Sequence, residues 1–374
     1  MGKSVLDDDD EVVIKKALKK KRRQVIPKKH LLSSGSTMMN LASTGRTAGC
    51  WVVGHYYWFV GDSDSGKTFL ALTTLAEACI NPAFDEYAIV YDNSEEGALM
   101  DIEKFFGPAV ARRLVPPDGT REEPIYSKTT EQMYFNIDTW IKKGKPFIYI
   151  EDSIDVLDTE DDTAKFEERK KAYEREKSGK KAKEVSGSYG MSKPKINSQY
   201  LKRVVSRIHK IGAIVIIISQ TRDNVGPFAK YDPKTAGGGR ALKFYATLQV
   251  WASQKTKILK RVKGKNRQLG ILAKVRLRKN RITGKDRTIL VPIYHSFGID
   301  DTGSCVDYLI EEGALKINRG VIKAIDFEFE GDKEEFIKHI ENNNLESKLR
   351  LTVKKVWDEI ETDCEIRRKP RYGQ

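Results

Sequence analysis

No two of the four cysteines, Cys50, Cys79, Cys305 and Cys364, form a C-x-x-C pair. Their scatter excludes a cysteine zinc knuckle and a disulfide framework, and suits reduced thiols in a cytoplasmic compartment. The five histidines are equally dispersed, so no metal cluster is expected. Long apolar runs are missing too. The longest, near Trp51–Val60 and Ile214–Ile218, have strand length and are too short to cross a bilayer. A signal-peptide pattern is absent, because Asp7–Glu11 and Lys15–Arg23 fill the N-terminus with charge. No membrane partner is expected. Acidic residues are in deficit, at 53 Asp and Glu against 67 Lys and Arg, for a formal charge of +14. That excess favours a polyanionic partner, nucleic acid before membrane, although a solvated basic surface explains it equally well.

What is present is organised around Tyr56–Leu75. The apolar run YYWFV (Tyr56–Val60) reads as a buried strand. GDSDSGKT (Gly61–Thr68) fits G-x-x-x-x-G-K-[ST], the phosphate-binding P-loop. Phe69, Leu70, Leu72 and Leu75 then recur at helical spacing. A strand before and a helix after are the context the motif requires. Gly61 and Gly66 allow the tight wrap, and the amides from Asp62 through Ser63, Asp64, Ser65, Gly66 and Lys67 to Thr68 form an anion-binding nest that runs on to Phe69. Lys67 is expected on the β- and γ-phosphates of a nucleoside triphosphate, and the Thr68 hydroxyl on Mg²⁺. Asp62 and Asp64 are out of place on a phosphate loop. They are expected to point away from the nucleotide and, if another copy of the chain completes the site, toward cations of that neighbouring subunit.

The 374 residues allow two or three domains, and 39% hydrophobic content is ample for a core. Residues 1–35 read as an N-terminal arm, either a helix that packs on a neighbour or a charged tail, with Ser33–Ser36 as a linker. Further strands are expected at Tyr87–Tyr91, Phe147–Ile150, Ile214–Ser219, Ala241–Trp251, Gly270–Leu277 and Thr288–Tyr294. Helices are expected at Ala109–Leu114, Thr130–Lys142 and Ser198–Ile211. Residues 160–185 read as a solvated charged helix, Thr221–Gly239 as a long loop and Lys255–Lys265 as a basic hairpin tip. From Cys305 the pattern is mostly helical, so 319–374 reads as a small helical C-terminal unit after a core at 36–318. Strands separated by helices imply an α/β fold with a mostly parallel, twisted sheet and ligands at the carboxyl ends of the strands.

Those strand ends carry the candidates. Asp92, Glu95 and Glu96 follow the second strand, Asp152 the third and Gln220 the fourth. An Asp after an apolar strand, paired with a P-loop, positions Mg²⁺. Glu95 or Glu96 would polarise the attacking water, and periodicity does not separate the two. Gln220 would sense the γ-phosphate.

With these motifs the chain resembles the RecA family of ATP-dependent recombinases, including phage recombinases of the UvsX kind. The resemblance covers roughly Thr37–Leu315. It rests on GDSDSGKT at 61–68, YDNSEEG at 91–97, YIEDSIDVL at 149–157, GSYGMS at 187–192, IIISQTR at 216–222, GGGRALKFYAT at 237–247 and RKNRIT at 278–283. Met38–Asn40 and the SEEG pattern lean toward the phage branch. The resemblance implies a RecA-like P-loop NTPase core that hydrolyses ATP with Mg²⁺ and forms helical filaments of its own copies on single-stranded DNA. It then pairs that strand with double-stranded DNA. It implies Glu95 as the water-activating residue, Asp152 as the Mg²⁺-side carboxylate and Gln220 as the link to DNA. Lys279 and Arg281 would be the cations that reach a neighbour's ATP.

Two loops would hold DNA. The first includes Met191, with Lys195, Ser198 and Lys202 sharing one face of the following helix. The second includes Arg222, Val225 and Phe228 and ends at Gly238, Gly239 and Arg240, where backbone amides can approach phosphates. Met191, Val225 and Phe228 would wedge between bases. The charged stretch 160–185 departs from the family pattern as an insertion, and the chain ends RRKPRYGQ where bacterial relatives carry an acidic tail. A ring helicase and a weakly hydrolysing filament accessory protein are the alternative readings; only 36 residues precede Thr37, where the resemblance begins, which disfavours the helicase.

Overall fold

The computed structural model describes residues 26–97, 100–179, 192–224, 234–368 and 372. Most of the expected arm, including Lys15–Arg23, lies outside the described residues, as do Met191, Val225 and Phe228. Where the arm ends, buried Leu31 and Leu32 pair antiparallel with Trp51 and Val52. Ser33–Ser36 is not the free linker expected. Ser34 and Ser36 are buried, the Ser34 amide donates to Asn40 Oδ1 at 3.0 Å, and Ser36 caps α1 (Thr37–Thr44) through the Met39 amide. Small hydroxyl residues suit a flexible connection and a helix start equally, and here they satisfy the helix start.

The core elements follow in order. β1 (His55–Gly61) leads through the P-loop to α2 (Lys67–Ile80) and β2 (Ala88–Asp92). α3 (Thr130–Lys142) and β3 (Phe147–Glu151) come next, then α4 (Glu160–Lys177) and α5 (Ser192–Ile211). β4 (Ile214–Asp223), β5 (Lys234–Ala236) and α6 (Arg240–Tyr245) precede the long strands β6 (Leu248–Val262) and β7 (Lys265–Asn280). β8 (Arg287–Tyr294), α7 (Asp301–Glu311), α8 (Lys333–Asn342) and α9 (Glu346–Asp363) complete the series.

The central sheet has ten strands and runs β8-β7-β6-β1-β4-β3-β2, with Gly298–Ile299 beside β8, Leu114–Val115 beside β2 and β5 attached to β4. β6, β1, β4, β3 and β2 are parallel neighbours, whereas β7 and β8 run antiparallel. This is the expected α/β fold with a parallel centre. β1 is buried on both faces, as a central parallel strand must be. Tyr57 and Phe59 enter one core with Leu70, Leu72 and Leu75 of α2. Tyr56, Trp58 and Val60 enter the other with Met133 and Ile137 of α3 and Leu201, Val204 and Ile208 of α5. Helices thus cover both faces, and α2 is pinned directly beneath the loop that precedes it.

Four expectations change. Ala241–Trp251 is not one strand: α6 comes first, burying Ala241 and Leu242, and β6 starts at Leu248. Ala, Leu and Lys are good helix formers, and this apolar mix is too short for its period to decide. The basic tip is narrower than Lys255–Lys265, because both strands run on and only Lys263 and Gly264 turn, each at positive φ. The long loop is shorter too, since β4 extends to Asp223 and pairs with β5. Finally, the segment after α7 holds a small sheet as well as the expected helices. Ile317–Asn318, Val321–Ala324 and Phe329–Gly331 form a three-stranded antiparallel sheet before α8 and α9.

Ile216 sits in the middle of β4 with no exposed surface. Ile216→Ala is expected to lower unfolding stability by roughly 2–5 kcal/mol, from lost burial plus an unfilled cavity. Urea unfolding measures this; a loss below about 1 kcal/mol would contradict the packing described.

Candidate active site

The site begins where β1 ends. Gly66 is the N-cap of α2 and supplies no side-chain capping bond, so the first amides of the helix keep their donors for an anion. Gly66 has φ +82°, and a Cβ there would lie 2.6 Å from Ile293 Cδ1. A Cβ on Gly61 would meet the Ala252 carbonyl oxygen at 2.4 Å. Both positions therefore demand glycine. The Ser65 hydroxyl and the Lys67 ammonium donate to the Asp62 carbonyl at 2.7 and 2.6 Å, closing the loop on itself. Ser63 is exposed at the crest. Asp64, Ser65, Gly66, Lys67, Thr68 and Phe69 line one side of a cavity of about 700 Å³, within the usual range for a small-molecule site. Met100, Phe105, Ile271, Ile293 and Tyr294 give it an apolar wall.

Asp62 does turn away from this cavity, but toward its own chain. Its carboxylate accepts from the Thr221 hydroxyl and lies 3.4 Å from Lys234 Nζ, so the P-loop is tied to the β4–β5 hairpin. That replaces the expected cation of a neighbouring subunit. Asp64, in contrast to the expectation, faces the cavity.

Asp152 follows β3 and meets the start of α2. Its Oδ2 accepts from the Thr68 hydroxyl at 2.7 Å and from the Tyr91 hydroxyl at 3.0 Å. Burial pushes the Asp152 carboxyl above its usual range, and those two hydrogen bonds and Lys67 pull it back. Burial also lowers Lys67, against the charges of Asp152 and Glu95. A hydroxyl and a carboxylate are hard oxygen donors that fit Mg²⁺, which completes its shell with water and phosphate oxygens. Among the described residues no cluster of three His, Cys, Asp or Glu could hold a metal alone, so the protein share of such a site is this pair.

The three acids after β2 separate cleanly. Asp92 is buried and accepts from the Ser127 amide at 2.9 Å and from the Ser127 and Tyr149 hydroxyls, which makes it a fastening for the loop before α3. Glu95 Oε1 accepts from the Ser153 hydroxyl and from Gln220 Nε2, the latter at 3.0 Å. Glu96 has positive φ and is exposed. Gln220 also donates its amide N–H to Asp155 Oδ2 at 2.7 Å, and Asp155 Oδ1 pairs with Arg222 at 3.3 Å. Sequence reading missed Tyr91, Ser153 and Asp155; the only signal was their place at strand ends already under suspicion.

Lys279 and Arg281 converge at the end of α6. Lys279 Nζ donates to the carbonyls of Lys243 and Phe244 at 2.6 and 2.9 Å, and Arg281 donates to Phe244 at 2.7 Å. Burial, then the charges of Arg281 and Lys243, push the Lys279 ammonium down to about 8.

The nucleic-acid candidates that are described lie beside the end of β4. Lys195, Ser198 and Lys202 are exposed on α5, opposite its buried Leu201, Val204 and Ile208. Asn197 Nδ2 donates to the Gly238 carbonyl at 2.7 Å, and a Cβ on Gly239 would lie 2.8 Å from Pro194 Cβ. The helix start, Gly238 and Gly239 are therefore packed together, with exposed Arg240 next to them. Arg222 and Gly238 share a cavity of about 460 Å³ with Lys193, a cation that sequence reading overlooked. Lys193 Nζ reaches the Ile154 carbonyl at 3.2 Å.

Because its folded pKa lies below the ordinary value of 10.5, Lys279 binds more protons in the unfolded chain between those values. Stability therefore rises with pH through that window. Arg281→Gln is expected to move the Lys279 midpoint upward from about 8, read by NMR titration of its side-chain carbon. An unmoved midpoint would show that the two cations do not act on each other.

The family model described as the RecA N-terminal domain matches residues 179–300, a span that includes α5 to β8. Protein RecA of Chlorobium limicola is 27% identical over 259 residues, covering 68% of this chain and 63% of that protein. Protein RecA of Ureaplasma parvum serovar 3 is 26% identical over 266 residues, 71% and 69% of the two chains. In Lactococcus lactis subsp. cremoris, Protein RecA is 32% identical over 137 residues, 36% and 35% of the two chains. The chain thus spans a little under two thirds of the length of the Chlorobium protein. These matches, like the P-loop and its neighbouring strand ends, show what the chain is similar to: RecA proteins, at 26–27% identity over 68–71% of its length.

Proposed function

We propose that this chain is an ATP-dependent homologous-recombination protein that assembles as a filament on single-stranded DNA, hydrolyses ATP there and exchanges strands with a homologous duplex. The observation that carries the reading is the bridge made by Gln220. Its side chain bonds Glu95 beside the P-loop, while its backbone belongs to the strand that continues to Arg222 and the candidate DNA loop. A residue so placed transmits the state of the nucleotide to the groove that grips DNA.

The P-loop amides and Lys67 hold the triphosphate of ATP, and Thr68 with Asp152 holds Mg²⁺, which supplies charge neutralisation at the phosphates when bound. Glu95, rather than Glu96, orients the attacking water, because its carboxylate is the one fixed by Ser153 and Gln220. Lys279 and Arg281 complete the site of an adjacent copy across the filament interface. Lys195, Ser198, Lys202, Arg222 and Arg240 contact the DNA backbone with Gly238 and Gly239, and Met191, Val225 and Phe228 separate bases. Binding is then independent of sequence and steeply salt-dependent. Residues 1–35 serve as an oligomerisation arm, 36–318 as the ATPase core and 319–374 as a C-terminal unit, in a cytoplasmic protein of the phage UvsX-like branch.

Lys67→Ala is expected to reduce single-stranded-DNA-stimulated ATP turnover by at least about 100-fold and to abolish joint-molecule formation. Normal strand exchange by that variant, or closed rings in place of open filaments when wild-type protein, DNA and a slowly hydrolysed ATP analogue are imaged, would overturn the reading.

A further inference from the structure

β6 does not stop where β1 stops. Its last pairing with β1 joins Ala252 to Gly61, the first residue of the P-loop. From Ser253 to Val262 it continues as a ribbon with β7 alone, beside the phosphate loop. Within that extension the register slips. Gln254 faces Ala273, but Thr256 faces Leu272, so Lys255 is the extra residue of a β-bulge.

A bulge resets the alternation of side chains from that point on. In an unbroken ladder Lys257 would share a face with Lys255, away from Gln254. With the bulge it shares the face of Gln254, and both line the cavity formed by the P-loop. Lys255 lines a different groove on the opposite side, with Leu272 and Lys274. The strand partner of Lys257 is Ile271, whose Cδ1 would lie 3.6 Å from a Cβ on Gly66. The bulge therefore delivers a cation to the wall facing the phosphate loop. Among the described residues Lys257 makes no ion pair. Lys257 joins Lys67 and the open start of α2 in a cleft whose lining carries one carboxylate, Asp64, so the positive charge there exceeds the negative and an anionic ligand compensates the excess.

We infer that Lys257 is a nucleotide-binding residue, its ammonium contacting the phosphate chain of the nucleotide held by the P-loop of the same subunit. The inference rests on the nucleotide reading of that loop. It ties the ribbon to nucleotide occupancy, since the bound phosphates then hold both ends of the cavity.

The test uses the full chain and a fluorescent ATP analogue with Mg²⁺, titrated to give Kd. Lys257→Met is expected to weaken binding about tenfold, as for loss of one charge-assisted contact, while Lys257→Arg stays within about threefold of wild type. Lys255→Met removes the same charge two residues away on the other face, and its Kd is expected to match wild type. A Lys257→Met protein with wild-type Kd, or equal losses in Lys255→Met and Lys257→Met, would overturn the assignment of Lys257 alone. Wild-type protein that binds no analogue would overturn the nucleotide reading beneath it.

Discussion

The termination of β1 at Gly61 is the constraint on which the site depends. β1 is apolar on both faces and bonded on both edges, to β4 and β6, so it has no freedom in position. Gly61 pairs with Gln220 on one side and Ala252 on the other. When the chain leaves the sheet there, it turns over the end of the strand and enters α2, whose leucines are held in the core beneath. The loop between them has little choice of path, and glycine at 61 and 66 is what the available space permits. Parallel neighbours in register then bring Gln220, Glu95 and Asp152 to the same end of the sheet.

Around that end the polar groups form a chain of contacts. Thr68 bonds Asp152, the Glu95 amide donates to the Asp152 carbonyl, Gln220 bonds Glu95, and Asp155 holds both Gln220 and Arg222. Each member is fixed by a neighbour from a different part of the chain. Such a network keeps its geometry only while its members stay paired, because an unpaired polar group in a half-buried setting is costly. Asp62 adds a second tie, from the P-loop to Thr221 and Lys234. The phosphate loop and the β4–β5 hairpin are therefore joined twice, once through side chains on the strand ends and once through a carboxylate that looked misplaced in the sequence.

What could be read from sequence was what burial dictates. The strands at Tyr56–Val60, Phe147–Ile150 and Ile214–Ser219 announce themselves because both of their faces are apolar. The P-loop does so because its glycines have no substitute. The outer halves of β6 and β7 were invisible for the opposite reason. From Leu259 to Gln268 the ribbon is exposed on both faces, so no apolar face imposes a period of two, and only cross-strand hydrogen bonds define it. α6 was misread because six residues with two buried side chains carry almost no periodic signal. The role of Asp92 as a fastening, and the separation of Glu95 from Glu96, depend on Ser127, Tyr149 and Ser153, which are distant in sequence or unremarkable where they stand.

That ribbon behaves as a short polyelectrolyte. Between Leu248 and Lys285 the chain contains no acidic residue, and Lys255, Lys257, Lys260, Arg261, Lys263, Lys265 and Arg267 all stand exposed on it. Its hydrogen-bonded ladder must hold against the mutual repulsion of these charges without a core to help. At an ionic strength of 0.1 M the screening length is about 10 Å, and at 0.01 M about 30 Å. The repulsion reaches the whole outer ribbon in dilute buffer and only near neighbours in salt. This element therefore tightens as salt is added, the reverse of the response that salt imposes on contacts between opposite charges. Its most ordered state is the one in which counterions, or the phosphates of another molecule, surround it.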